Sequence, residues 1–166
     1  LAIGLAGQTQ AGDVIPQIVS EDGKIIEALN TKYASSFDFL LERMTGGGSA
    51  VSLEAELVRY DGLGGYPGAP GSAYQTLTGG YLLASYLFPE MDGPGQFEIL
   101  AKFAKATFSK DRNFSYPDFD QTTTEVDFNY ILNQFNARVM IFFKKTDYSA
   151  VRMDDTQVGL GLQIQM

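Results

Sequence analysis

The chain has 166 residues, a formal net charge of −8, 18 glycines and 13% aromatic residues, with no histidine and no cysteine. The commonest general base and transition-metal ligand is therefore absent, as are disulfide and thiolate chemistry. The acidic balance, with no basic run to neutralise phosphates, excludes a nucleic-acid surface.

The length points to one domain. No run approaches the 18 apolar residues of a membrane-crossing helix, but strands that alternate average out in such a test. There is no signal-peptide pattern, and the first residues already read as a strand. The expectation is a chain whose front is missing or processed.

Leu1 to Gln10 sets Leu1, Ile3 and Leu5 against Ala2, Gly4, Ala6, Gln8 and Gln10, the period of two that marks a strand with one apolar side. Residues 11–34 do not alternate cleanly. Asp13, Pro16, Glu21, Asp22 and Gly23 mark loop, and Lys24–Asn30 reads as two turns of helix or an extra strand. An excursion of this length is usually functional or disordered. Its apolar residues Ile15, Ile18, Val19, Ile25, Ile26 and Leu29 need cover, so it is expected to fold inward as a constriction.

The second strand is Phe37–Met44, with Phe37, Phe39 and Leu41 opposite Asp38, Leu40 and Glu42. Thr45–Ser49 is a glycine turn; it lacks the Lys-Ser/Thr and helix of a phosphate-binding loop. The third strand, Val51–Tyr60, sets Val51, Leu53, Ala55 and Leu57 against Ser52, Glu54 and Glu56. A Gly/Pro-rich loop spans 61–73. The fourth strand is Tyr74–Phe88, the fifth Gln96–Phe108, the sixth Thr122–Leu132 and the seventh Ala137–Tyr148. Their connections are Pro89–Gly95, Ser109–Gln121 and Asn133–Asn136, and 149–155 leads to the last strand. That strand, Gln157–Met166, alternates Val158, Leu160, Leu162, Ile164 and Met166 with glycine and glutamine. Ten unbroken residues suit a tilted strand crossing a bilayer.

Eight antiparallel strands are thus expected, with long and short connections alternating. Outer-membrane barrels have short periplasmic turns and longer outer loops. The fold class expected is an all-β antiparallel transmembrane β-barrel. The alternative left open is a soluble sandwich or lipocalin-like barrel holding a small apolar ligand.

Several strands resemble those of a known family. Ser52–Arg59, Gly80–Leu87, Phe97–Phe103 and the hairpin Asp127–Asn133 with Ala137–Met140 are similar to strands of the phosphate-selective-type (O/P-type) porins of Gram-negative outer membranes. Lys102 stands where that family usually has arginine. The resemblance implies the C-terminal half of a sixteen-stranded barrel, a homotrimer in outer-membrane lipid, and passage of small hydrophilic solutes or ions without a cofactor. The arginine and lysine ladder of the phosphate-selective members is missing, so phosphate selectivity does not follow.

Asp38, Glu42, Glu54, Glu56, Glu98, Glu125 and Asp127, with Lys102, Arg138 and Lys144, fall on the polar sides of their strands. They are the candidate pore-lining residues. Seven acids against three bases cannot pair fully in a closed eight-stranded interior. A larger wet lumen with a cation bias is therefore expected. Carboxylate pairs such as Glu54 and Glu56 could serve acid–base chemistry, but no nucleophile motif accompanies them and no enzyme is expected. Asp111–Asp120 or Asp154–Asp155 could take calcium; neither has EF-hand spacing, so no metal is expected. Tyr86, Phe88, Phe97, Tyr130 and Phe135 lie near the short turns, where a barrel carries an aromatic girdle. A barrel that anchors or sheathes another component is the remaining alternative to a porin.

Overall fold

The strands of this chain alternate so regularly that pairing them in sequence order brings all their apolar positions to one side. The computed structural model has that arrangement. It describes residues 1–11, 18–19, 25–26, 31–61, 74–90, 93–110, 117–132, 137–150 and 152–164. The strands are β1 (Ala2–Ala11), β2 (Ile18–Val19), β3 (Ile25–Ile26), β4 (Thr31–Gly46), β5 (Ser49–Asp61), β6 (Tyr74–Leu87), β7 (Gly95–Lys110), β8 (Phe119–Leu132), β9 (Ala137–Tyr148) and β10 (Asp155–Ile164). No helix occurs among the described residues.

Eight strands form one antiparallel meander in the order β1-β4-β5-β6-β7-β8-β9-β10, and β2 pairs only with β3. Of the stretch 24–30, read as two turns of helix or an extra strand, the described residues Ile25–Ile26 are strand, and the others lie outside the described residues. Residues 12–17, 20–24 and 27–30 of the excursion, most of the loop at 61–73, the turn at 133–136 with Phe135, and residues 111–116 lie outside the described residues, so the constriction and the calcium reading at 111–120 are not addressed by them. Five strands start earlier than their alternation suggests: β4 at Thr31 rather than Phe37, β5 at Ser49 rather than Val51, β7 at Gly95 rather than Gln96, β8 at Phe119 rather than Thr122, and β10 at Asp155 rather than Gln157.

The register settles the faces. Ile3 lies opposite Phe39, Phe39 opposite Ala55, Ala55 opposite Leu82 and Leu82 opposite Phe103. Further along, Ile99 faces Phe128, Phe128 faces Ile141 and Ile141 faces Leu160. One apolar surface therefore runs unbroken over all eight strands. It is open to the surroundings: Leu5 is 82% exposed, Leu160 74% and Val158 73%. The other face carries the polar positions, and its side chains from β5 to β9 are mostly half-buried. A flat sheet would expose both faces alike, so the sheet curls with its polar side concave. Ile131 is the only buried hydrophobic residue among those described. A conventional apolar core is not what holds these strands together; the ladders are.

No ladder joins β1 to β10 among the described residues. The sheet is open, with one edge at each end. Within it, the β4–β5 hairpin turns on Gly46, Gly47 and Gly48, whose φ values are 106°, 60° and 76°. Positive φ at both central residues is the twist-matched two-residue turn, and only glycine adopts it freely. A register shift between Met44 and Gly46 accompanies it. Thr45 and Ser49 close the turn with a hydroxyl–hydroxyl hydrogen bond of 2.7 Å.

Candidate functional site

All ten candidate pore-lining residues fall on the concave polar face. The ladder sets their order. Asp38 of β4 is directly opposite Glu56 of β5, and Leu40 is opposite Glu54. Glu42 faces Ser52. On the other side of the sheet Lys102 of β7 is opposite Glu125 of β8, and Glu125 is opposite Lys144 of β9. Asp127 faces Leu100 and Phe142, Glu98 faces Asn129, and Arg138 faces Ile131 and Gln163.

The charges are thus segregated along the sheet. On their polar faces β4 and β5 carry four carboxylates and one base, Lys32, six residues from Asp38 at the far end of β4. By contrast, β7 to β9 carry three acids and four bases, Lys102, Lys110, Arg138 and Lys144. Like charges directly opposite, as at Asp38 and Glu56, disfavour pairing of those strands. The row Lys102, Glu125, Lys144 alternates in sign and favours it. Among the described residues none of the ten is in an ion pair.

Tyr81 of β6 stands between the two regions. Its hydroxyl donates a hydrogen bond to Glu54, and the Lys102 ammonium sits 4.5 Å from its ring centroid. One aromatic side chain therefore holds a carboxylate by its polar tip and a cation by its π face. Alternation alone places Tyr81 on the side of Leu83 and Ser85 and names no partner for it. Its role depends on cross-strand register, for which the sequence carries no direct signal.

Towards the short turns the face is more enclosed. Asn129 is 2% exposed and donates through Nδ2 to Glu98 Oε2 at 2.9 Å. Asp127 Oδ1, Asn129 Oδ1 and Arg138 Nε are covered without a hydrogen-bond partner. The glycines of β10 make space here: a Cβ at Gly159 would run into the Phe142 ring, and one at Gly161 would lie 2.5 Å from Met140 Cε.

The apolar face has two unlike margins. At the short-turn margin the rings pair: Tyr86 with Phe88 at 4.9 Å edge-on, and Phe97 with Tyr130 at 4.8 Å. At the opposite margin the same strand sides continue into charge. Arg59–Asp61 (2.9 Å), Lys105–Asp120 (3.2 Å) and Lys145–Asp147 (2.7 Å) pair there. Beyond the apolar band, the hydrogen bond from Arg59 holds the Asp61 carboxyl below the ordinary aspartate range. The Thr107 hydroxyl and Lys105 do the same for Asp120. This charged margin was missed by reading the strands one at a time. Its signal was present, because Arg59, Lys105 and Lys145 each follow the last apolar residue of their face by two positions.

Among the described residues no group of three acidic, histidine or cysteine side chains is placed to hold a metal ion. Asp154, of the second calcium candidate, accepts a hydrogen bond from the Tyr148 amide at 2.9 Å, which ties the β9–β10 connection. No family model, curated protein or solved structure matches this chain.

Proposed function

We propose that the chain forms part of the wall of an outer-membrane porin, a water-filled channel for small hydrophilic solutes and ions. One observation carries the reading. The face that is apolar on all eight strands is the exposed one, and the face rich in carboxylates, amines and amides is the concave, half-buried one. A soluble barrel has the opposite polarity, because it must hide its apolar side chains from water. Exposed apolar patches of this extent do not persist in water. Lipid is the cover that fits a curved surface with paired aromatic rings at one margin and ion pairs at the other.

The open edges at β1 and β10 support a barrel larger than these strands. Unpaired backbone groups at either edge are untenable in hydrocarbon. Further strands beyond these eight would complete the ring, in line with the resemblance to O/P-type porins. Such a lumen needs no cofactor and no turnover; its charged walls bias which ions pass.

The test is electrical. The intact protein, reconstituted in planar bilayers, is expected to give stepwise conductance and a reversal potential showing potassium preferred over chloride, more so at low salt. Absence of channels would sink the reading. Channels that prefer chloride would show that wall charges elsewhere outweigh these.

A further inference from the structure

We propose that the concave face holds a recognition site for a small aliphatic zwitterion, an α-amino acid with a compact apolar side chain. This deepens the porin reading, on which its role in passage rests. The argument starts from a patch of missing side-chain volume. Gly79 of β6 lies opposite Ala106 of β7, and Ala104 is the next inward position on β7, opposite Tyr81. These three small residues form a floor. A Cβ on Gly79 would already meet the Lys105 carbonyl oxygen at 3.0 Å, so the floor is backbone packed flush, not a gap between strands. Larger neighbours stand around it, and the depression so enclosed measures about 180 Å³. A single water needs only about 10–15 Å³ by the same measure, so the depression is sized for a solute.

Its chemistry is split. The floor is apolar, while Glu56 borders it on the β5 side and Lys102 on the β7 side. Neither is in an ion pair among the described residues. Lys102 is held near the depression by the Tyr81 ring. Gln121 and Thr123 of β8 add neutral polar groups on the remaining flank. Lys102 lies opposite Glu125 in the ladder without an ion pair; a neutral sugar would engage neither Glu56 nor Lys102, and a simple anion or cation only one of them. A zwitterion satisfies both: its ammonium turns to Glu56, its carboxylate to Lys102, and its side chain lies on Gly79, Ala104 and Ala106. Charged hydrogen bonds supply the selectivity, since a site built for them rejects analogues that lack either group.

Saturation-transfer NMR on the intact, detergent-solubilised protein tests this with three probes: L-valine, N-acetyl-L-valine without the ammonium, and L-valinamide without the carboxylate. L-valine is expected to bind saturably, and each analogue at least tenfold more weakly. Ala104→Phe, which fills the floor, and Lys102→Met, which removes the cation, should each weaken L-valine tenfold or more; two variants guard against one misfolding. No L-valine binding, equal binding of all three probes, or unchanged affinity in both variants overturns the site. Bilayer recordings on the same preparation separate the two readings. Conductance without L-valine binding removes the site and leaves the channel. L-valine binding without conductance removes the channel and leaves the site.

Discussion

Gly48 illustrates how a single residue fixes the pairing of two strands. At φ +76° an L side chain costs about 1–2 kcal/mol, and a Cβ there would also lie 2.9 Å from the Glu90 Cγ. Gly48→Ala is therefore expected to destabilise the protein by about 1–2 kcal/mol, read as a lower denaturant midpoint in lipid vesicles. Gly48→Asn should cost less, because asparagine tolerates the left-handed region better. Equal midpoints for alanine and wild type would mean that the turn does not set the β4–β5 register. Tyr81 works at the same scale but by contact. Its hydrogen bond to Glu54 and the Lys102 ammonium over its ring bridge strands whose side chains would otherwise be independent.

At the scale of the strand, alternation recovered the elements and their faces well, because a one-residue slip would move every apolar side chain to the wrong side. The bounds of β9, Ala137–Tyr148, agree with the pattern. The pattern failed where strands leave the apolar band. Thr31–Ser36 and Phe119–Gln121 keep the ladder but lose the contrast between faces, so they read as loop. Hydrophobic period reports the part of a strand that faces an apolar medium; hydrogen bonding carries it further. Side-chain contacts across strands were legible only in outline, since they require the register.

The same contrast between faces is testable in β10. Leu160 belongs to the apolar face opposite Ile141, and Gln163 to the polar face opposite Arg138. If lipid covers the first, Leu160→Arg should cost about 2–4 kcal/mol. Gln163→Met, a polar-face change of similar bulk, should cost within about 0.5 kcal/mol. Unfolding in vesicles measures both. Similar small costs at the two positions would argue that lipid does not cover the exposed face.

For the molecule as a whole, the charges matter more by placement than by number. By register the polar face carries eight acids, Asp155 included, and five bases, Lys32 and Lys110 included, a surplus of three negative charges. The one base on the polar side of β4 and β5, Lys32, lies six residues from Asp38. Surface charges act over about 8 Å at physiological salt, so if the polar face lines a lumen, the β4–β5 carboxylates set the local potential along their own stretch of it. Replacing Glu54 and Glu56 by glutamine lowers the surplus from three to one. The potassium-to-chloride permeability ratio should move towards unity, with the largest change at low salt. A ratio that stays fixed would locate ion preference outside these strands.

The two margins of the apolar band do not run parallel to the ladder rows. On β4 the band spans Phe37 to Leu41, and on β8 it spans Val126 to Leu132. Followed through the register, Phe37 lies level with Thr122 and Leu41 with Val126. The upper margin therefore descends by four residues and the lower by six between β4 and β8. Because Leu5 is level with Phe37 and Val158 with Val126, the upper margin is level outside those strands, and the same drops extend over all seven strand spacings. At about 3.4 Å per residue and about 4.8 Å per strand, that is a mean slope of roughly 22–31° across the sheet. If a level lipid slab covers the band, the strands lean by about that angle to keep it horizontal, in the sense that barrel strands incline. Polarised infrared dichroism of the amide bands in oriented bilayers should return the same lean. Strands standing upright would mean that the oblique band does not follow a membrane plane.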